Sequence, residues 1–151
     1  MRKIINVMFL FLLLNSCDYL NSNGPLVNRG TEKEPMYYVI SSAKDGDETK
    51  KDIEFFIDTN IVEELKLEPK KIESICDQAV TYADWNAKFK QTYKYSGLAS
   101  LTYDNKAKRI NAFISGTAEN AFGVSDKIYT TIPFDLDGKM ILDKSGLPII
   151  Q

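Results

Sequence analysis

Any chemistry in this chain must come from carboxylates, tyrosines and two thiols, because 151 residues include no His at all. That removes the commonest general base and metal ligand, and with them a Cys–His nucleophile or a Cys–His zinc site. No Ser sits in a Gly-x-Ser-x-Gly context and no Gly-Lys-Ser/Thr phosphate loop occurs. Asp135-Leu136-Asp137-Gly138-Lys139 resembles the middle of a calcium loop. The terminal bidentate Glu and further oxygen ligands of such a loop are missing, so a plain turn is expected. Asp45-Gly46-Asp47-Glu48 reads as a second acidic turn. A glycosidase-like site needs two acids facing each other across a cleft, and spacing singles out no pair among 21. The expectation is a protein that is not an enzyme, with no cofactor and no metal.

Aromatic and basic residues are more suggestive. Trp85, Tyr93, Tyr95 and Tyr103 lie near Lys106, Lys108 and Arg109 in a segment whose basic residues outnumber its acids. Large aromatics beside cations are typical of contact surfaces, and these seven residues form the candidate binding surface. By contrast, Glu32 to Glu68 holds 11 acids and 5 bases. The whole chain carries a net charge of −2. An acidic total argues against nucleic acid, whereas a local basic patch suits an acidic partner or anionic headgroups.

Positioning these residues requires a scaffold, and hydrophobic periodicity outlines one. Ile72, Ile75, Cys76, Ala79, Val80, Ala83 and Ala87 recur at spacings of three and four, which predicts an amphipathic helix from Lys70 to Phe89. Cys76 falls on its apolar face and is expected in the core. Trp85 falls at the edge of the stripe. Asn60 and Glu63 match a capping box for a short helix over Ile61 to Lys66. Met36 to Ile40 is aromatic and β-branched, predicting a strand, while Lys50 to Asp58 fits either a strand or a helix because Phe56 breaks the alternation of Ile53, Phe55 and Ile57. From Thr92 onward the period is two. Segments 93–103, 109–118 and 127–134, separated by polar turns, predict a three-stranded meander. Gly97 and Gly116 fall mid-strand, where glycine marks a bulge or a close approach. The expected fold is α+β: one main amphipathic helix packed on a curled antiparallel sheet containing a three-stranded meander.

The amino terminus speaks to location. Arg2 and Lys3 precede an apolar run, Ile4 to Leu14. As a helix that run would span about 17 Å against about 30 Å of bilayer hydrocarbon, the size of a signal-peptide core rather than a membrane span. Leu14-Asn15-Ser16-Cys17 closes it and resembles the lipobox of bacterial lipoproteins. The resemblance implies that a diacylglycerol is attached to the Cys17 sulfur, that cleavage follows before Cys17, and that the new amino terminus is acylated. Two or more chains hold a protein stably on a bilayer. Asp18 next to the lipidated position is associated, in lipoproteins of enteric-type Gram-negative bacteria, with retention in the inner membrane. The expected organisation is a signal peptide at residues 1–16, a lipidated Cys and flexible tether at 17–35, and one α+β domain at 36–151. The partners expected are the membrane, through Cys17, and another envelope protein or an anionic surface facing the periplasm or the exterior. The functional expectation is a non-catalytic binding module of the envelope; an assembly accessory is the alternative, and a carboxylate hydrolase a third.

Overall fold

A computed structural model describes residues 26–86 and 90–147. Cys17, the signal peptide and the first part of the expected tether lie outside the described residues, as do Ala87 and Phe89 of the predicted helix. Among the described residues six strands form one open sheet: β1 (Val27–Asn28), β2 (Tyr37–Lys44), β3 (Lys50–Ile57), β4 (Lys94–Asp104), β5 (Arg109–Glu119) and β6 (Ser125–Phe134), in that spatial order. Two α-helices, α1 (Thr59–Glu63) and α2 (Pro69–Asn86), lie between β3 and β4. The class is α+β. Among the described residues no helix is long and apolar enough to cross a membrane.

One pairing differs from the expected antiparallel sheet. β3 and β4 run parallel, from Glu54 opposite Leu98 to Ile57 opposite Leu101. Parallel neighbours need a long crossover, and the segment holding α1 and α2 supplies it. The other neighbours are antiparallel, including β4–β5 and β5–β6, which follow in the expected order. The ambiguous 50–58 segment is strand throughout: Ile53, Phe55 and Ile57 are buried, and Phe56 points to the other face.

The folded part also reaches further back than Met36. Val27 pairs with Tyr38, Leu26 N–H donates to Glu73 Oε1 (3.2 Å), and Arg29 meets Glu54 at 2.6 Å. A two-residue strand leaves no periodic signal, so its segment reads as tether in the sequence.

The core lies between α2 and one face of the sheet. Ile72, Ile75, Cys76, Ala79 and Ala83 of α2 are buried against β2, β5 and β6. Burial pushes the Cys76 thiol up, keeping it protonated and unreactive. The short helix is capped two residues earlier than expected. Asp58 Oδ1 accepts from Asn60 N–H (3.0 Å) and Asp58 Oδ2 accepts from Tyr103 N–H (3.1 Å), so one carboxylate both starts α1 and ties it to β4.

The turns share one construction. In Asn120–Val124, Asp135–Lys139 and Asp143–Leu147, the side-chain oxygen of the first residue accepts two backbone N–H groups, and a glycine in fourth place has positive φ. Asp135 therefore spends its carboxylate on its own loop, as expected of a turn. The Asp45–Thr49 turn closes with the same backbone bonds but has Glu48 at φ 65° in the glycine's place.

Candidate functional site

The seven residues of the candidate surface do not come together. Tyr93 and Tyr95 are only 3% and 1% exposed. They sit on the covered side of the sheet, their rings edge-to-face at 4.8 Å, with the Tyr95 hydroxyl donating to Val80 O (3.3 Å). Burial, and secondarily the acids Asp45 and Asp84, pushes the Tyr93 phenol up to about 12. These two tyrosines are core, and that part of the expectation is corrected. Alternation identified their shared face, but both faces of β4 carry apolar residues and the period alone does not say which one α2 covers.

At the far end of β4, about 26 Å away for eight residues of strand, Tyr103 packs half-buried against the core. Lys106 and Lys108 are exposed on the β4–β5 turn. Asp104 Oδ1 accepts from Lys106 N–H and Ala107 N–H, which shapes that turn and holds the Asp104 carboxyl below its usual range. Lys108 Nζ donates to Asn105 Oδ1 (2.6 Å), and Arg109 lies largely covered with Nε 3.9 Å from Asp104 Oδ2. The side chain of Trp85 is outside the described residues. What remains of the basic patch is a hairpin tip.

A different surface emerges from the strands. The helices cover one face of the sheet, and across the other runs an apolar belt that sequence reading left among the polar alternates. Register aligns Tyr38, Phe56, Ser100, Phe113 and Thr131 in one row across β2, β3, β4, β5 and β6. Leu98 and Tyr129 lie in the adjacent row, 68% and 75% exposed, where isolated surface residues of these types would be ordinary but a contiguous group is not. Tyr38 and Phe56 pack edge-to-face at 5.7 Å, and the Arg29 guanidinium stacks 4.8 Å above the Tyr38 ring while pairing with Glu54. A shallow depression of about 240 Å³ lies between Leu98, Ser100, Phe113, Ser115 and Tyr129. A second, of about 220 Å³, continues past Tyr129 to Lys94 and Lys127. The signal was present in the sequence: Leu98, Phe113 and Tyr129 occupy positions where a half-buried strand ordinarily has polar residues.

A concavity of about 590 Å³ lies along α2 between Lys70, Glu73, Asp77, Gln78, Tyr82 and Met140. Its polar groups are largely engaged by the fold: Glu73 accepts from Leu26 N–H, Asp77 from Ser41 Oγ–H (2.8 Å), and Gln78 donates to Ser74 O. Size therefore says less here than chemistry, and the exposed apolar belt is the stronger candidate. Among the described residues no group of three or more Cys, Asp or Glu is placed to hold a metal ion. Comparison with known proteins finds no matching family model, no matching curated protein and no matching solved structure.

Proposed function

We propose that this chain is a lipoprotein of the bacterial envelope, anchored through Cys17, whose α+β domain is a non-catalytic binding module that docks another envelope protein on the open face of its sheet. The observation carrying this reading is the belt of Tyr38, Phe56, Leu98, Phe113 and Tyr129 on the face of the sheet opposite α2. Fully covering a Leu or Phe side chain from water is worth about 1.5–3 kcal/mol, and Leu98 at 68% and Tyr129 at 75% exposed offer more of that gain than Phe56 and Phe113 at 41% and 40%. Ser96, Ser100 and Ser115 beside them supply hydroxyls, with Ser115 Oγ and Ser96 Oγ already 2.9 Å apart. The bulge between Tyr95 and Ala99, with Gly97 at φ 86°, supports a sheet curled around α2 that turns the belt outward. The Leu14–Cys17 resemblance supports the anchor.

Capture from intact cells tests this reading. The full chain should retain a reproducible partner that is lost when Leu98→Asp and Tyr129→Asp are combined, and kept when Lys106→Glu and Lys108→Glu are combined. Loss in the lysine variant with retention in the belt variant would move the contact to the hairpin tip and an anionic surface. Mass spectrometry of the mature amino terminus tests the anchor: acyl mass on Cys17 is expected, and an intact leader without it would overturn the location.

A further inference from the structure

The outer edge of β6 carries a row of backbone groups with a definite direction. Pro133 O accepts from Ile141 N–H on the side away from β5, and Asn120 N–H donates to Val124 O where the β5–β6 hairpin closes. The register from Ser125 to Phe134 runs without a shift. Alternation then points the N–H and C=O of Ser125, Lys127, Tyr129 and Thr131 outward, away from β5. No other strand of the described residues pairs with this edge, and Pro133, which lacks an N–H, ends it.

We propose that this edge pairs with the same edge of a second copy of the chain, antiparallel, about a two-fold axis through Ile128. The segment Ser125–Thr131, which no other strand of the described residues pairs on that side, is centred on Ile128. Pairing it with itself about that residue places Ser125 opposite Thr131 of the other copy and Lys127 opposite its Tyr129, each twice, so that every outward N–H and C=O of the segment is used. Ile128 meets Ile128 on the helix side. Asp126 meets Thr130, and no two like charges stand opposite each other. Competing registers fail on named residues. An axis at Lys127 opposes two lysines, and an axis at Tyr129 sets Ser125 against Pro133, which has no N–H and whose carbonyl is already taken. An axis between residues brings outward groups against inward ones. The two-fold joins two six-stranded sheets into one and leaves both apolar belts on the same side. The contact uses the strand edge and not the open face, so it stands apart from the reading above.

Disulfide trapping on the full chain in intact cells tests the register. Residues facing across a non-hydrogen-bonded antiparallel pair have Cα atoms about 4.5 Å apart, within disulfide reach. Under mild oxidation Ile128→Cys should give a covalent dimer, while Thr130→Cys and the unaltered chain, with only Cys17 and Cys76, should not. Co-expressed Asp126→Cys and Thr130→Cys chains should cross-link to each other, which covers the case that Ile128→Cys disturbs folding. Tyr129→Pro removes two bonds from the ladder and should cut the Ile128→Cys dimer about tenfold or more, while leaving the β5 pairing intact because that N–H points outward. Equal trapping at residues 128 and 130, no trapping in the Asp126/Thr130 pair, or adducts larger than dimers would overturn the proposal.

Discussion

Gly116→Ala puts the packing of the sheet to its sharpest test. Gly116 lies in β5 opposite Ile128 on one side and Tyr95 on the other, with the Tyr93 ring laid across it. A β-carbon there would stand 2.6 Å from Lys94 O, 2.6 Å from Tyr93 Cζ and 2.7 Å from Tyr93 Oη, where ordinary contact begins near 3.4 Å. Overpacking of a core costs about 1–3 kcal/mol when neighbours can give way. Here one neighbour is the carbonyl of the adjacent strand, held by its ladder, and the other is a ring that is itself enclosed, so the loss should lie near the top, about 3 kcal/mol. With a urea dependence of about 1.5 kcal/mol per molar, the unfolding midpoint should fall by about 2 M. Gly97→Ala is the internal comparison. Its β-carbon would find only Lys51 Cε at 3.5 Å and Asp52 O at 3.8 Å. It would suffer from the positive φ alone, about 1–2 kcal/mol. Urea titration followed by far-ultraviolet circular dichroism reads both. A Gly116→Ala midpoint within about 0.5 M of the parent, or a larger loss for Gly97→Ala, would refute the packing described for Tyr93.

Three further outcomes follow from particular residues. Asp58→Ala removes the α1 cap and leaves Tyr103 N–H without its acceptor, which should cost about 2–3 kcal/mol in the same titration. Glu48→Gly should raise stability by about 0.5–1 kcal/mol, since a left-handed residue becomes the glycine that the three sister turns already use; a loss would show that the Lys44–Glu48 pair outweighs the backbone. The raised Tyr93 phenol gives a pH dependence with a definite sign: between the ordinary value of 10.0 and about 12 the unfolded chain releases a proton that the folded chain keeps, so stability is present below pH 10 and declines as pH rises through that window. Tyrosinate absorbance and unfolding monitored together should show Tyr93→Phe reducing this alkaline loss, and an unchanged alkaline transition would contradict the assignment.

Much of the scaffold was legible in the residues because its elements are strongly periodic. The stripe of Ile72, Ile75, Cys76, Ala79 and Ala83 marks α2 and the face it buries, and Asn120-to-Gly123 and Asp135-to-Gly138 mark two hairpin loops through side chains that bond their own backbone. The parallel β3–β4 pair was not legible, since alternation is the same whichever way a neighbour runs. Asn60 and Glu63 match the capping-box pattern, whereas the cap is Asp58, whose carboxylate also reaches Tyr103 N–H, a contact 45 positions along the chain that no local pattern reveals. The candidate site was misplaced for a related reason. Strands with apolar residues on both faces offer two possible cores, and Tyr93 and Tyr95 of the candidate surface lie on the buried side, while Leu98 and Tyr129 face solvent.

The belt is where the functional reading stands or falls. A photoreactive amino acid placed at Leu98 in the full chain, illuminated in living cells, reports what touches that face without disturbing the core. The expected result is one discrete adduct with a different envelope protein, abolished by Tyr129→Asp and absent when the same photoreactive group replaces Phe122, which is 92% exposed on a hairpin loop. Adduct formation at Phe122 equal to that at Leu98, or no protein adduct at Leu98 at all, would contradict it.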